Sequence, residues 1–159
     1  MKTILYAHGK MSEAFYGEAC AAYEKRLSTL WPLTIIEAQE ARLPQNPSPA
    51  QISAALETEA AAALAKIPRR AYVVALCIEG KMMDSVTLSC TMENAASSGY
   101  GEIWFLIGSS HGLAPSLKAR ADLRLSLSRL TMPHQLARIV LCEQVYRAAM
   151  ISHGRSYHK

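Results

Sequence analysis

Two groups of residues in this chain are of types and spacings that could do chemistry. The first lies where three apolar runs end: Leu76 to Lys81, Gly108 to Gly112, and Leu127, Ser128, Arg129, Leu130, Thr131 and Met132. If the runs are parallel strands, these exits line one cleft, because ligands of open parallel sheets collect outside the carboxyl ends of the strands. The exits offer backbone N–H and C=O groups and few charges, which suits an adenine and a ribose better than a triphosphate. Gly108 and Gly112 do not form a phosphate loop, since the G-K-[S/T] ending is missing, and they are not a G-x-G-x-x-G fingerprint. Taken alone, they read equally well as glycines that permit a positive φ. The second group is C-terminal. Glu143 and Arg147 have helix-pair spacing in the favourable order, so they either neutralise each other or leave Arg147 for a substrate. Beyond them stands Arg155-Ser-Tyr-His-Lys159, a tail that would ordinarily fray.

Other chemistries fail on inventory. Ser109 and Ser110 lack the G-x-S-x-G elbow, and the chain has neither a carboxylate pair nor H-E-x-x-H. Cys20, Cys77, Cys90 and Cys142 form no C-x-x-C pair and have no histidine at ligand spacing. No metal site is therefore expected, and each thiol should be a reduced, buried structural group. His134, next to Pro133, reads as a helix-start residue that hydrogen-bonds locally.

The elements that would position these groups follow from periodicity and caps. Lys2 to Ala7 reads as a first strand closed by Gly9. Ser12 is a candidate cap for a helix running to about Leu30, with Phe15, Ala19, Tyr23, Leu27 and Leu30 inward. Leu33 to Ala38 is β-branched and suits a second strand. Ser48, Pro49 and Gln51 spell a capping box with proline at the first helical position, and the alanine-rich helix behind it should stop before Pro68. Ala71 to Ile78 is continuously apolar, as a strand buried on both faces should be. Glu79, Gly80 and Lys81 then turn the chain, and Ser85 caps a helix burying Leu88, Met92 and Ala95. Glu102 to Ile107 is another buried strand, Asp122 to Ser128 a half-buried one, and a last helix starts near Pro133. The order β-α-β-α-β-α-β-loop-β-α predicts one α/β domain over residues 1–159, with a mostly parallel sheet flanked by helices.

That last helix is apolar nearly all round, with Leu136, Ile139, Val140, Val145, Tyr146 and Met150 spread about it. A surface helix has one apolar stripe, so burial against the sheet and against a second body, such as a copy of itself, is expected. The net charge of +4 is unevenly distributed. From Lys118 onward there are eight Lys or Arg and two acids, whereas the preceding 117 residues hold nine and eleven. A basic C-terminal region on a slightly acidic body suggests a polyanionic partner on one side. No run approaches the 18 apolar residues of a membrane span, and the first residues lack a leader pattern, so no membrane partner and a cytosolic protein are expected.

Several stretches together go further. Phe105-Leu-Ile-Gly108, Leu125-Ser-Leu-Ser128, Leu130-Thr-Met-Pro-His134, Glu143-Gln-Val-Tyr-Arg147 and the ending Tyr157-His158-Lys159 occur in this order, behind Gly9-Lys10 and Tyr23-Glu-Lys-Arg26. By them the whole chain resembles the RlmH family of ribosomal RNA methyltransferases, of the SPOUT class. The resemblance implies a homodimer that uses S-adenosylmethionine to methylate N3 of a pseudouridine in large-subunit (23S) ribosomal RNA. It also implies a C-terminal trefoil knot around the cofactor, which pattern reading alone would not suggest. Carried onto matching positions, cofactor contacts fall on Leu76, Gly108 and residues 127–132, and substrate-side, catalytic roles on Arg147, Tyr157 and His158. Ser109 departs from the family, where a second glycine commonly follows the first. A left-handed φ there would strain a serine and weaken cofactor binding. Two rivals remain. A non-enzymatic RNA-binding module on the same fold would have no cofactor pocket. A nucleotidyl transferase would need acidic metal ligands, and only Glu79 and Asp84 stand near the exits.

Overall fold

The structure, a computed structural model, describes residues 1–155 and Tyr157. Its centre is a five-stranded sheet in the order β2-β1-β4-β3-β5, with every pairing parallel. The strands are β1 (Lys2–His8), β2 (Leu33–Ala38), β3 (Ala71–Lys81), β4 (Glu102–Ile107) and β5 (Leu123–Leu125), and the helices are α1 (Ala14–Leu27), α2 (Pro49–Leu64), α3 (Ser85–Ser97), α4 (Pro115–Arg120) and α5 (His134–Ser152). Successive side chains of a strand point to opposite faces, and here both faces are covered. Leu5, Ala7, Val74, Ile103 and Phe105 bury against α1, α3 and α5. Ile4, Tyr6, Val73, Trp104 and Leu106 bury against α2 and α4. This explains why β3 and β4 read as unbroken apolar runs.

Local signals were met unevenly. The capping box is complete, with the Ser48 hydroxyl accepting from the Gln51 N–H, the Gln51 amide accepting from the Ser48 N–H, and Pro49 opening α2. Ser12 is not the cap of α1. Its N–H donates to Gln135 Oε1 at 3.0 Å, which ties the loop after β1 to the first turn of α5, and Glu13 takes the cap position without a side-chain bond. Helix α1 stops at Leu27, short of Leu30, and Phe15 faces solvent at 59 % exposure rather than the core. Asp84, not Ser85, caps α3 through the Thr87 N–H, and the Ser85 hydroxyl instead donates to Gln144 on α5. Short helix α4 stands where the sequence predicts a loop. Cys20 and Cys142 are buried as expected, but Cys77 is half-buried and Cys90 exposed.

Two differences bear on the site. The segment expected to turn at residues 79–81 belongs to β3, whose register against β5 slips between Leu76 and Lys81. The slip brings Gly80 so close to β5 that a Cβ there would stand 2.6 Å from the Leu125 carbonyl carbon. The expected strand 122–128 shortens to Leu123–Leu125, and the Ser126 N–H makes the last bond to β3, at the Lys81 carbonyl. Second, the helix expected to need another body is flanked within its own chain, α1 packing on one side of α5 and α3 on the other. Arg138, Leu141, Cys142, Val145, Ala148 and Ala149 are buried there. What stays bare is smaller: Leu136 on α5 and Phe15 on α1, near the helix ends that Ser12 and Gln135 join.

Candidate functional site

The exits of β3, β4 and β5 meet around a cavity of about 410 Å³, within the range of small-ligand sites. Leu76, Gly108, Leu127, Ser128, Leu130, Thr131 and Met132 all border it, so seven of the eight residues singled out for a cofactor come together. Arg129 does not border it; its backbone passes there while its side chain is exposed. Cys77, Ile78, Ser109, His111 and His134 also line the cavity. The first four lie within the strand exits expected to line one cleft; His134, expected only to start the helix, does start α5 and also borders the cavity.

The walls follow from the chain's geometry. At the end of β4, Gly108 lies against Gly112: an added Cβ would stand 2.2 Å from the Gly112 carbonyl oxygen. Gly112 itself has φ +87°, and its N–H donates to the Ser109 carbonyl at 2.9 Å, closing a tight turn. Ser109 does not have a positive φ, so the strain expected of a serine there is absent. Its hydroxyl donates at 3.0 Å to Glu59 Oε2, while Oε1 accepts the Ala41 N–H. Ser109→Gly should therefore lower stability by about 1.5–3 kcal/mol, the range for a hydrogen bond to a charged group, and leave ligand affinity within a few-fold. Thermal melts beside calorimetry check both halves.

Opposite, the loop after β5 braces itself, with the Ser126 hydroxyl donating to the Ser128 carbonyl and the Ser128 hydroxyl accepting from the Leu130 N–H. Leu130 is 79 % exposed. Lys118 stands at the rim and pairs with Glu79 at 2.5 Å, holding that carboxyl below its ordinary range. Burial, and then Glu79, push the Cys77 thiol up. The lining is thus largely apolar with backbone groups interspersed, a fit for a flat nucleoside carrying a short aliphatic arm.

The C-terminal group assembles separately. Glu143 Oε1 accepts from both Arg147 Nε (3.0 Å) and Nη2 (2.7 Å), and raises the Arg147 pKa. Mutual neutralisation is therefore real, yet Arg147 also lies 4.9 Å over the Tyr157 ring. Tyr157 is not idle either, since it meets Tyr146 edge-on at 4.9 Å. His158 lies outside the described residues. Arg147 and Tyr157 do not line the cavity of their own chain: Arg147 follows His134 by thirteen positions on α5, about 20 Å along the axis.

Comparison with known proteins adds the remaining observations. Residues 1–158 match the model of a family described as "Predicted SPOUT methyltransferase". The chain is similar to the ribosomal RNA large subunit methyltransferase H of Leuconostoc mesenteroides, 43% identical over 159 residues and covering the whole of both chains. The protein of that name from Streptococcus thermophilus is likewise 43% identical over 159 residues, again the whole of both. That of Listeria monocytogenes is 42% identical over 151 residues, 95% of each chain.

Proposed function

The chain belongs to the SPOUT methyltransferase family, and from that premise we propose that it moves the methyl group of S-adenosylmethionine to N3 of a pseudouridine in large-subunit ribosomal RNA. We assign this to a homodimer in the cytoplasm, built on a C-terminal trefoil knot. The observation that carries the reading is the cavity where β3, β4 and β5 end, with its apolar walls and its glycine-backed loop. It argues against a module that only binds RNA, which needs no such pocket.

When bound, S-adenosylmethionine supplies an already activated methyl group, so positioning should dominate the catalysis. Leu76, Leu127, Leu130 and Met132 would hold the nucleoside, and the Gly108–Gly112 turn would let backbone approach it. On the substrate side, Tyr157 and Arg147 hold the nucleotide, Arg147 being kept in place by Glu143. The N3 proton has to leave as the new N–C bond forms, and His158, or a water it orients, accepts it.

The distance along α5 supports a reading in which one chain's Arg147 and Tyr157 serve the cavity of a partner copy. Each active site then takes its cofactor from one subunit and part of its RNA surface from the other. Exposed Phe15 and Leu136 are apolar groups that a second copy would cover. The test mixes two inactive proteins, Gly108→Trp and the double variant Tyr157→Ala, His158→Ala. Random re-pairing of two-fold dimers should restore about a quarter of wild-type transfer, one working site in half of the dimers. Heterodimers that form and stay inactive would show that the site lies within one subunit.

A further inference from the structure

One cation on the α1–α5 face has no role so far. Tyr23 and Arg26 are three residues apart on α1 and share a face. Tyr146 on α5 reaches across to them. Its ring centroid is 6.0 Å from that of Tyr23 and 4.9 Å from that of Tyr157. Arg26 spreads over two of these rings, its guanidinium carbon 5.4 Å from the Tyr23 centroid and 5.9 Å from the Tyr146 centroid. The three tyrosines thus form a continuous ledge with Arg26 at one end and Arg147 at the other.

The two arginines differ in what remains for a partner. Two of Arg147's donors and much of its charge are taken up by Glu143. Arg26 is exposed, and no carboxylate among the described residues lies within ion-pair distance of it. A guanidinium already seated on aromatic faces loses less freedom when it forms further hydrogen bonds, and its planar fork matches phosphate oxygens. Aromatic and guanidinium planes beside a positive charge are also what single-stranded RNA is held by, because unpaired bases stack while the backbone is neutralised.

We infer that Arg26, held on Tyr23 and Tyr146, contacts a backbone phosphate of the single-stranded RNA that enters the substrate side of the site. The inference rests on the methyltransferase reading above and extends it to α1. Arg147 then orients the nucleotide, and Arg26 carries the electrostatic contact. A DNA duplex or an acidic protein would meet the charge but leave the ledge unused.

The experiment compares the wild-type protein with Arg26→Ala and Arg26→Lys. It measures binding to a large-subunit ribosomal RNA transcript across a salt series, KM for ribosomes in methyl transfer, and calorimetric affinity for S-adenosylmethionine. Arg26→Ala should bind RNA several-fold more weakly at moderate salt and flatten the slope of log affinity against log salt by about one, the signature of one lost phosphate contact. The KM for ribosomes should rise, with cofactor affinity and melting temperature unmoved. Arg26→Lys should restore the slope but only part of the affinity, since an ammonium keeps the charge without the stacked fork. An Arg26→Ala protein with wild-type slope and KM overturns the assignment while leaving the methyltransferase reading intact. A wild-type protein that transfers no methyl group to ribosomes or to RNA overturns that reading, and this inference with it.

Discussion

Gly108→Ala is expected to lower methyl transfer by about a hundredfold or more while the fold survives, because misplacing a bound group by about 1 Å is enough for a loss of that size. The added methyl carbon would sit 2.2 Å from the Gly112 carbonyl oxygen and 2.3 Å from its carbon. Both are backbone atoms, so neither can rotate aside as a flexible side chain would. Relief requires the 109–112 turn to move away from β4, and that turn is a wall of the cavity. Gly112→Ala is the contrast. Nothing lies within 4 Å of its would-be Cβ, but its φ of +87° is left-handed, so it should cost about 1–2 kcal/mol of backbone strain without a collision. Calorimetry with S-adenosylmethionine, methyl transfer and far-ultraviolet circular dichroism separate the cases. Cofactor affinity at the wild-type level in Gly108→Ala would mean that this turn is no part of the cofactor site.

Arg138→Ala should be the most destabilising single change in the helix that follows the cofactor loop. The Arg138 side chain is fully buried, with Nη1 2.9 Å from Glu37 Oε1 and Nη2 donating to the His8 and Gly9 carbonyls at 2.8 and 2.6 Å. One guanidinium therefore ties the ends of β1 and β2 to α5. Removing it leaves two carbonyls and a carboxylate without their donor, a loss of about 3–5 kcal/mol for a broken buried pair. Glu37 is 36 % exposed and keeps the Met11 N–H, so the lower figure is expected. In a chain of this size that lowers the melting temperature by roughly 6–12 °C. Arg138→Met fills the space but satisfies no acceptor, so it should recover only part of the loss. Combining it with Glu37→Gln should cost less than the sum of the two, because the second change removes a stranded charge. If Arg138→Met melts with the wild type, packing rather than the guanidinium holds the three elements together.

The sequence by itself determined the local elements and the identity of most groups around the cavity. Unbroken apolar runs in β3 and β4 announced strands covered on both faces, and Ser48, Pro49 and Gln51 set the start of α2, because cap chemistry acts within one helical turn. The three strand exits were legible as one cleft because a parallel sheet must gather its carboxyl ends on one edge. Tertiary structure decided what depends on contacts distant in sequence. Ser12 and Ser85 carry ordinary capping chemistry, yet each is engaged by a residue of α5, 123 and 59 positions away. Gly80 must be glycine because β5 passes over it, and Gly108 because Gly112 does, and neither requirement leaves a mark in a short window. The apolar girth of α5 signalled burial on several sides, but only packing showed that α1 and α3 supply most of it. Arg138 looked like a polar spot on a helix until the sheet placed two strand-end carbonyls and Glu37 around its guanidinium. Spacing fixes which side chains share a face, whereas what that face meets is set by the path of the rest of the chain.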